Sequence, residues 1–373
     1  MRILFTGGGT GGHIFPLIAV ARQLKRIYFS EEGKPLEMFF LGSGGFKNAL
    51  NQEGIKTKTI LTGKIRRYFS VLNILDIFKM PIGFLQTLWY LFIWMPDVVF
   101  NKGSYASAPV VITAWIYRIP ILTHESDIFP GLSNRFAAKF SKKIAISFSQ
   151  TEKYFPQEKT ALIGNPIRME IIQTCLSTNE NDKNQARKIL NLTSDKPIIF
   201  ISGGSQGAQK INEVVLRVLP KLTEKYEIIH QCGVKNYEQI KKIFDQSSTS
   251  NYRFFSFLDE KQLSAAYLLA DLIISRAGAI SIFKIAACHK PSILIPLQIS
   301  ASDHQRQNAF AYARAGATSV LEESNLTPNL FLNEISKILE HPEISKTMSV
   351  NAESFSMPEA AQRIAEELIE MVK

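Results

Sequence analysis

The feature that most constrains this chain is a unit that recurs from end to end. A short run of β-branched or aromatic residues meets a turn rich in glycine or other small residues, and a stretch with helical spacing follows. Such runs fall at Arg2–Thr6, Met38–Leu41, Thr57–Leu61, Val98–Asn101, Ile121–His124, Lys143–Ser147 and Ala161–Ile163. They resume at Pro197–Ser202, Glu227–Gln231, Arg253–Phe257, Leu272–Ser275, Ser292–Pro296 and Thr318–Leu321. Most are continuous rather than alternating, as in strands buried on both faces of a parallel sheet. Lys58 breaks the run at Thr57–Leu61. Helical patterns follow at Pro16–Tyr28, Ala208–Lys225 and Ile280–Ala287, among others. The expected class is therefore α/β, with parallel sheets joined by right-handed crossovers.

At 373 residues the chain exceeds what one core supports, so two Rossmann-like domains are expected. The break reads near Asn165–Pro166 or within the polar stretch Cys175–Arg187. This gives a first domain over 1–165 and a second over 166–355. The segment 356–373 would pack back on the first as an amphipathic helix, with Ala361, Ile364, Ala365, Leu368 and Ile369 on one side.

Hydrophobic residues at 46% and charged residues at 20% exclude a largely disordered chain. The net charge of +10 favours anionic partners: nucleic acid, phosphorylated ligands or acidic lipid. The three cysteines, Cys175, Cys232 and Cys288, are odd in number and far apart. They are expected to form no disulfide framework and no CxxC metal site, which fits a reducing compartment. The first residues lack the apolar stretch of a signal peptide. Val71 to Met95 is apolar-rich but is interrupted by Asp76, Lys79, Pro81, Gly83 and Gln86. Its cleaner part, Leu88 to Met95, is far below the roughly 20 residues that cross a bilayer.

Gly7-Gly8-Gly9-Thr10-Gly11-Gly12-His13 joins the first strand to the first helix. Glycines allow a close backbone approach, and a helix start offers free N–H groups, so a phosphate or pyrophosphate is the natural occupant; a tight turn with packing glycines is the alternative. No Gly-Lys-Ser/Thr follows, and no acidic residue ends the second strand, so neither a Walker A loop nor a dinucleotide fingerprint is present. Ser202-Gly203-Gly204-Ser205-Gln206-Gly207-Ala208 repeats the pattern in the second half, and Asn101-Lys102-Gly103-Ser104-Tyr105 and Ser275-Arg276-Ala277-Gly278-Ala279 form two further turns. Four turns at strand carboxyl ends point to a shared cleft holding two anionic ligands.

Of the six histidines none shows metal-ligand spacing. His13 follows the glycines at a helix start, where the dipole would keep it neutral as a base; a capping role is the alternative. His124-Glu125-Ser126-Asp127 ends a strand, so one of its carboxylates is a second base candidate, or a structural hydrogen-bonding group. His230 reads as structural, and His341 as a surface turn residue before Pro342.

GGTGGHIFPLIAVA, GKIRRYFS, HESDIFPGLSNRFA, IGNPIR, GGSQGAQKIN, ADLIISRAGA and DHQRQNA occur in that order over nearly the whole chain. In these stretches the chain resembles the MurG family of peptidoglycan-synthesis N-acetylglucosaminyltransferases. The resemblance implies a GT-B fold and inverting transfer of GlcNAc from UDP-GlcNAc to the 4-hydroxyl of undecaprenyl-linked muramoyl-pentapeptide, with no metal or other cofactor. The acceptor diphosphate would lie against Gly8 to Gly12 and against Gly103, Ser104 and Tyr105, with Asn134 beside them. Donor contacts would come from Thr10, Gly11, Gly12, Asp127, Arg168, Ser205, Gln206 and Lys284. Phe257 and Leu258 would hold uracil, Ala279, Ile280 and Ser281 the diphosphate, and Gln305 the sugar hydroxyls. His13, Glu125 and Asp127 would be the catalytic candidates.

Three positions depart from the family pattern. Lys284 replaces the usual Glu that accepts bonds from ribose hydroxyls, and lysine can only donate. Asp127 stands where Asn is common, and Ser104 where Gly is common.

A lipid acceptor also implies a docking face. Lys64, Arg66 and Arg67, followed by Ile74, Leu75, Phe78 and Trp89, combine basic and large apolar residues, although an ordinary core helix beside a solvated charge cluster is the alternative. The expectation is peripheral attachment to anionic lipid on the cytoplasmic face of a bacterial membrane, and no nucleic acid, since no base-reading motif is present. The rivals are a related lipid glycosyltransferase with another donor or acceptor and a catalytically silent sugar-nucleotide-binding protein.

Overall fold

The computed structural model describes residues 1–32, 35–63, 71–204, 207–244, 251–298 and 303–373. The chain divides into two compact units, Met1–Arg168 with Pro358–Lys373, and Met169–Met357.

The first unit begins with β1 (Arg2–Thr6), α1 (Gly11–Glu32), β2 (Glu37–Gly42), α2 (Lys47–Gln52) and β3 (Ile55–Thr59). It continues with α3 (Val71–Trp94), β4 (Val98–Asn101), α4 (Ala108–Ile116), β5 (Ile121–Glu125), α5 (Leu132–Ala137), β6 (Lys143–Ile146) and β7 (Thr160–Leu162). Its seven strands lie in the order β3-β2-β1-β4-β5-β6-β7, all parallel. The continuous apolar runs become fully buried strands: every residue of β4 and β5 is inside. β3 sits at the sheet edge, buries only Ile55 and leaves Lys56 and Lys58 exposed, so the strand starts two residues before the run that Lys58 had obscured.

The second unit opens with α6 (Met169–Cys175), α7 (Glu180–Ile189), β8 (Ile198–Ser202), α8 (Gln209–Lys225), β9 (Glu227–Gln231), α9 (Tyr237–Phe244) and β10 (Tyr252–Phe255). There follow α10 (Glu260–Leu269), β11 (Leu272–Ser275), α11 (Ala279–Ala287), β12 (Ser292–Leu294) and α12 (His304–Arg314). It closes with β13 (Thr318–Val320), α13 (Pro328–Leu339) and α14 (Pro342–Phe355). The six strands run β10-β9-β8-β11-β12-β13, again parallel. In each unit the strand order reverses beside the first strand, between β1 and β4 and between β8 and β11, and ligands of such sheets bind outside the strand ends at that point.

The last helix, α15 (Ala360–Glu370), belongs to the first unit. Ile364, Ala365, Leu368 and Ile369 join Ile3, Phe5, Leu17 and Leu24 in one core cluster. Burying Ile364, Leu368 and Ile369 stabilises this contact by about 1.5–3 kcal/mol each.

One expectation fails. Cys175, at the end of α6, is disulfide-bonded to Cys288, the C-cap of α11, with Cα atoms 5.4 Å apart. Their separation of 113 positions carried no information on their distance in the fold. Cys232 is free and buried.

Candidate active site

The first turn of unit 1 runs from the end of β1 into α1. A Cβ on Gly9 would overlap the Gly44 carbonyl, and one on Gly45, at φ +138°, would lie 2.7 Å from the Gly9 carbonyl. Glycine at both positions lets the loops after β1 and β2 touch through their backbones. No acceptor among the described residues takes the N–H of Gly9, Thr10, Gly11 or Gly12. With the positive end of α1 these amides form an open seat for an anion.

His13 closes the turn. Its Nδ1 shares a 2.8 Å hydrogen bond with Thr10 Oγ1, and a Cβ on Gly8 would stand 3.0 Å from the same nitrogen. Burial first, then the nearby charge of Lys102, hold the imidazole pKa down at about 4, while Asp127 pulls the other way. Neutrality was expected from the helix dipole; the larger causes are lost solvent and a lysine on the neighbouring strand end.

The second turn, after β4, is organised differently. Gly103 has φ +79°, and its N–H donates to Asn101 Oδ1 at 2.9 Å. The Ser104 N–H donates to Ser133 Oγ at 3.2 Å, and the Ser104 carbonyl accepts from Ser107 Oγ at 2.8 Å. Both amides expected to face a phosphate are thus engaged within the protein, because Asn101 and Ser133 reach them first. Tyr105 is exposed beside them.

The strand end 124–127 is held by hydrogen bonds within the protein. His124 is fully buried: Nδ1 accepts from Lys102 Nζ at 2.6 Å and Nε2 donates to the Gly164 carbonyl at 2.8 Å. Burial and the Lys102 charge keep it neutral, and it points inward rather than toward a ligand. Glu125 Oε1 accepts from the Asp127 N–H at 3.0 Å; Oε2 accepts from the Gly131 N–H at 3.0 Å and from Asn134 Nδ2 at 2.9 Å. Burial, then Asp127, raise the Glu125 pKa. A carboxylate with both oxygens bound to its own loop holds that loop in shape, which weighs against its service as the base.

Thr6 Oγ1, Asn134 Oδ1 and Asn165 Nδ2 are buried here with no partner among the described residues. Asn134 bonds to the His124 carbonyl and Glu125, and Asn165 Oδ1 lies 3.4 Å from Ser126 Oγ. Unsatisfied buried groups cost about 1–3 kcal/mol each, which a polar ligand or ordered water would offset. Arg168, nearly buried, lies with its guanidinium 4.8 Å over the Phe15 ring, two residues beyond His13.

In unit 2, Ser205 and Gln206 lie outside the described residues. Gly204 and Gly207 flank them at φ +83° and +81°, and a Cβ on Gly207 would strike the Cys232 carbonyl. The start of α11 has Gly278 as its N-cap and no side-chain cap, so Ala279, Ile280 and Ser281 form a first turn whose amides lack a capping side chain. Lys284 lies half-buried in the last turn of that helix. Phe257 is 44% exposed while Leu258 is in the core, which leaves the Phe257 ring open to stacking. Gln305 Oε1 accepts from the Leu297 N–H at 3.0 Å. The sequence reading missed Arg276, which donates to the Ile295 and Pro296 carbonyls at 3.1 and 3.3 Å and pairs with Glu323. It pins the loop that Gln305 contacts. Among the described residues no three His, Cys, Asp or Glu side chains are grouped to share a metal ion.

Of the docking residues, Lys64, Arg66 and Arg67 lie outside the described residues, as do the side chains of Ile74, Leu75 and Phe78. Trp89 is 62% exposed, and Leu85, Phe92 and Ile93 are exposed with it on α3. Trp94, at the end of α3, stacks on Phe39 at 4.7 Å. No described helix is long and apolar enough to cross a membrane.

Comparison with known proteins places this geometry. Residues 3–146 match the glycosyltransferase family 28 N-terminal domain and residues 198–364 the family 28 C-terminal domain. A Bacillus anthracis protein named UDP-N-acetylglucosamine–N-acetylmuramyl-(pentapeptide) pyrophosphoryl-undecaprenol N-acetylglucosamine transferase 2 is 36% identical over 349 residues, 93% of this chain and 94% of that one. A Clostridium perfringens transferase of the same name, without the numeral, is 36% identical over 337 residues, 90% of this chain and 89% of its own. The crystal structure of Acinetobacter baumannii MurG superposes with a TM-score of 0.72 at 26% identity, covering 99% of each chain. A UDP-GlcNAc 2-epimerase from Neisseria meningitidis, solved with UDP-GlcNAc, reaches 0.70 at 16% identity over 99% of this chain and 100% of that one, a likeness of fold alone. With both domains matched and more than a third of its residues shared over nearly its full length, the chain belongs to glycosyltransferase family 28, within the MurG family, and has its GT-B type of fold.

Proposed function

We propose that this protein transfers GlcNAc from UDP-GlcNAc to the 4-hydroxyl of undecaprenyl-diphospho-N-acetylmuramoyl-pentapeptide, with inversion at the sugar carbon, in peptidoglycan synthesis. The observation that carries this reading beyond family membership is the neutral His13 imidazole beside four open backbone amides. The first unit takes the acceptor, with its diphosphate on the Gly9–Gly12 amides. His13 removes the hydroxyl proton as the oxygen attacks, and a base with a pKa near 4 is in its active form at any physiological pH.

The second unit takes the donor. Negative charge gathers on UDP as the glycosidic bond breaks, and in this reading the uncapped amides at the start of α11 stabilise it, with Arg168 assigned to the donor diphosphate by the family resemblance. Ser205, Gln206, Phe257 and Gln305 complete the donor contacts in this reading. Glu125 and Asn134 hold the loop that carries Asp127.

Docking at the cytoplasmic face of the membrane belongs to the same proposal. Leu85, Trp89, Phe92 and Ile93 recur at helical spacing on one exposed side of α3, and the net charge of +10 draws the protein to anionic lipid.

The test is turnover with UDP-GlcNAc and the lipid-linked muramoyl-pentapeptide in detergent or vesicles, with other UDP-sugars alongside. The expected product is the β-linked disaccharide. Binding of UDP-GlcNAc without transfer to this acceptor would overturn the reading. His13→Ala should lower kcat by roughly 10²-fold or more, and near-normal turnover would remove it from the chemistry.

A further inference from the structure

Lys102 has no part in the chemistry above, yet it lies almost fully buried where the strand order of unit 1 reverses. Its backbone N–H donates to the Thr6 carbonyl at 2.9 Å, which ties the end of β4 to the end of β1. Its Cβ stands 3.4 Å from where a Cβ on Gly7 would be, directly under the first glycine turn. The ammonium donates to His124 Nδ1 at 2.6 Å and to Ser126 Oγ. His124 Nε2 is occupied as a donor to Gly164, so Nδ1 is a lone-pair acceptor, the partner a charged lysine requires.

An ammonium removed from water needs compensating negative charge. It comes from Glu125 and Asp127, the two carboxylates on either side of Ser126, which oppose the effect of burial on Lys102. The same arrangement surrounds His13. Lys102, from the end of β4, and Asp127, from the loop after β5, are the charges that act on its ring, with opposite signs. Arg168 is the further cation packed near this turn, over Phe15, and Thr10 contributes only a hydroxyl.

We propose that Lys102 is a positioning residue for the transfer: from beneath the first glycine turn its buried ammonium grips the 124–126 strand end, and so fixes the place and the charge of the surroundings of His13. This rests on the reading of His13 as the base. The lysine's charge disfavours protonation of the imidazole, Asp127 tempers that effect, and removing either charge unbalances the pair in a predictable direction.

The experiment uses the full chain. Lys102→Met and Lys102→Gln remove the charge, the second keeping a hydrogen-bond donor for His124; Lys102→Arg keeps the charge, and Asp127→Asn removes its opposite. His13 is titrated by NMR without substrate, and the pH dependence of kcat/KM is measured with UDP-GlcNAc and the lipid-linked acceptor. The neutral lysine variants should raise the His13 midpoint, and the acid limb of kcat/KM with it, by roughly half a pH unit or more. Asp127→Asn should lower the midpoint, and Lys102→Arg should leave it in place. An unmoved midpoint in the neutral variants overturns the proposal, whatever happens to turnover. If neither neutral lysine variant folds, a midpoint unmoved in Asp127→Asn has the same force. A midpoint that moves while the acid limb stays fixed instead removes His13 as the base, and with it the catalytic part of the inference.

Discussion

The side-chain amide of Asn134 lies against the α-carbon of Gly103, so close that a methyl group at position 103 would overlap Oδ1. Gly103 is therefore constrained twice, by its φ of +79° and by its neighbour. Gly103→Ala should lose about 2–3 kcal/mol of stability, several degrees in Tm, and loosen the Glu125 loop that Asn134 supports. Gly54 is the control: its φ is +70° but nothing lies within 4 Å of its missing Cβ, so Gly54→Ala should cost only about 1 kcal/mol. Equal losses in thermal melts of the two variants would contradict the role given to the Asn134 contact.

Stability should fall on mild acidification. His230 is buried between Tyr252 and Asn212, and burial lowers its pKa from 6.5 to about 3. The unfolded chain therefore binds a proton that the folded one refuses, so the contribution is full above pH 6.5 and is lost as pH falls towards 3. His13 and His124 act in the same direction, and Glu125, whose pKa is raised, offsets part of their effect. Urea unfolding between pH 7 and 5 should show the decline, and His230→Gln should flatten it by about 1.4 kcal/mol per pH unit. An unchanged slope would mean that His230 is protonated in the fold.

The family resemblance implies that position 284 meets the ribose hydroxyls, which call for an acceptor, and lysine can only donate. Lys284→Glu should tighten UDP binding several-fold in calorimetry, about 1 kcal/mol for one charge-assisted hydrogen bond. Unchanged or weaker binding would mean that the lysine serves the nucleotide itself, or that a different donor is used.

The exposed side of α3 should govern attachment to membranes. Replacing Trp89 and Phe92 together by Ser should reduce sedimentation with anionic vesicles by tenfold or more, since two large apolar side chains are worth about 3 kcal/mol or above. Turnover of a short-chain, water-soluble acceptor should persist. Vesicle binding that survives the double change would move the docking face elsewhere.

Much of this architecture could be read from residue order alone, because strands buried on both faces leave unbroken apolar runs. Where a strand lies at an edge, as β3 does with Lys56 and Lys58 outward, the run dissolves and its start is misplaced. The glycine turns were equally visible, since backbone contact at Gly9 and Gly207 tolerates no side chain. What stayed hidden depends on distance in space. Lys102 meets His124 across 22 residues, Arg276 meets Glu323 across 47, and Cys175 meets Cys288 across 113. The position of His13 was plain, but its burial, and the Lys102 charge that adds to it, depend on segments far along the chain.

The return of α15 to the first unit has a consequence for biosynthesis. The chain must pass through the whole of unit 2, residues 169–357, before Ile364, Leu368 and Ile369 are available to seal the interior of unit 1. Unit 1 therefore cannot close on its first segment alone, and loss of α15 would strand an exposed apolar face on it.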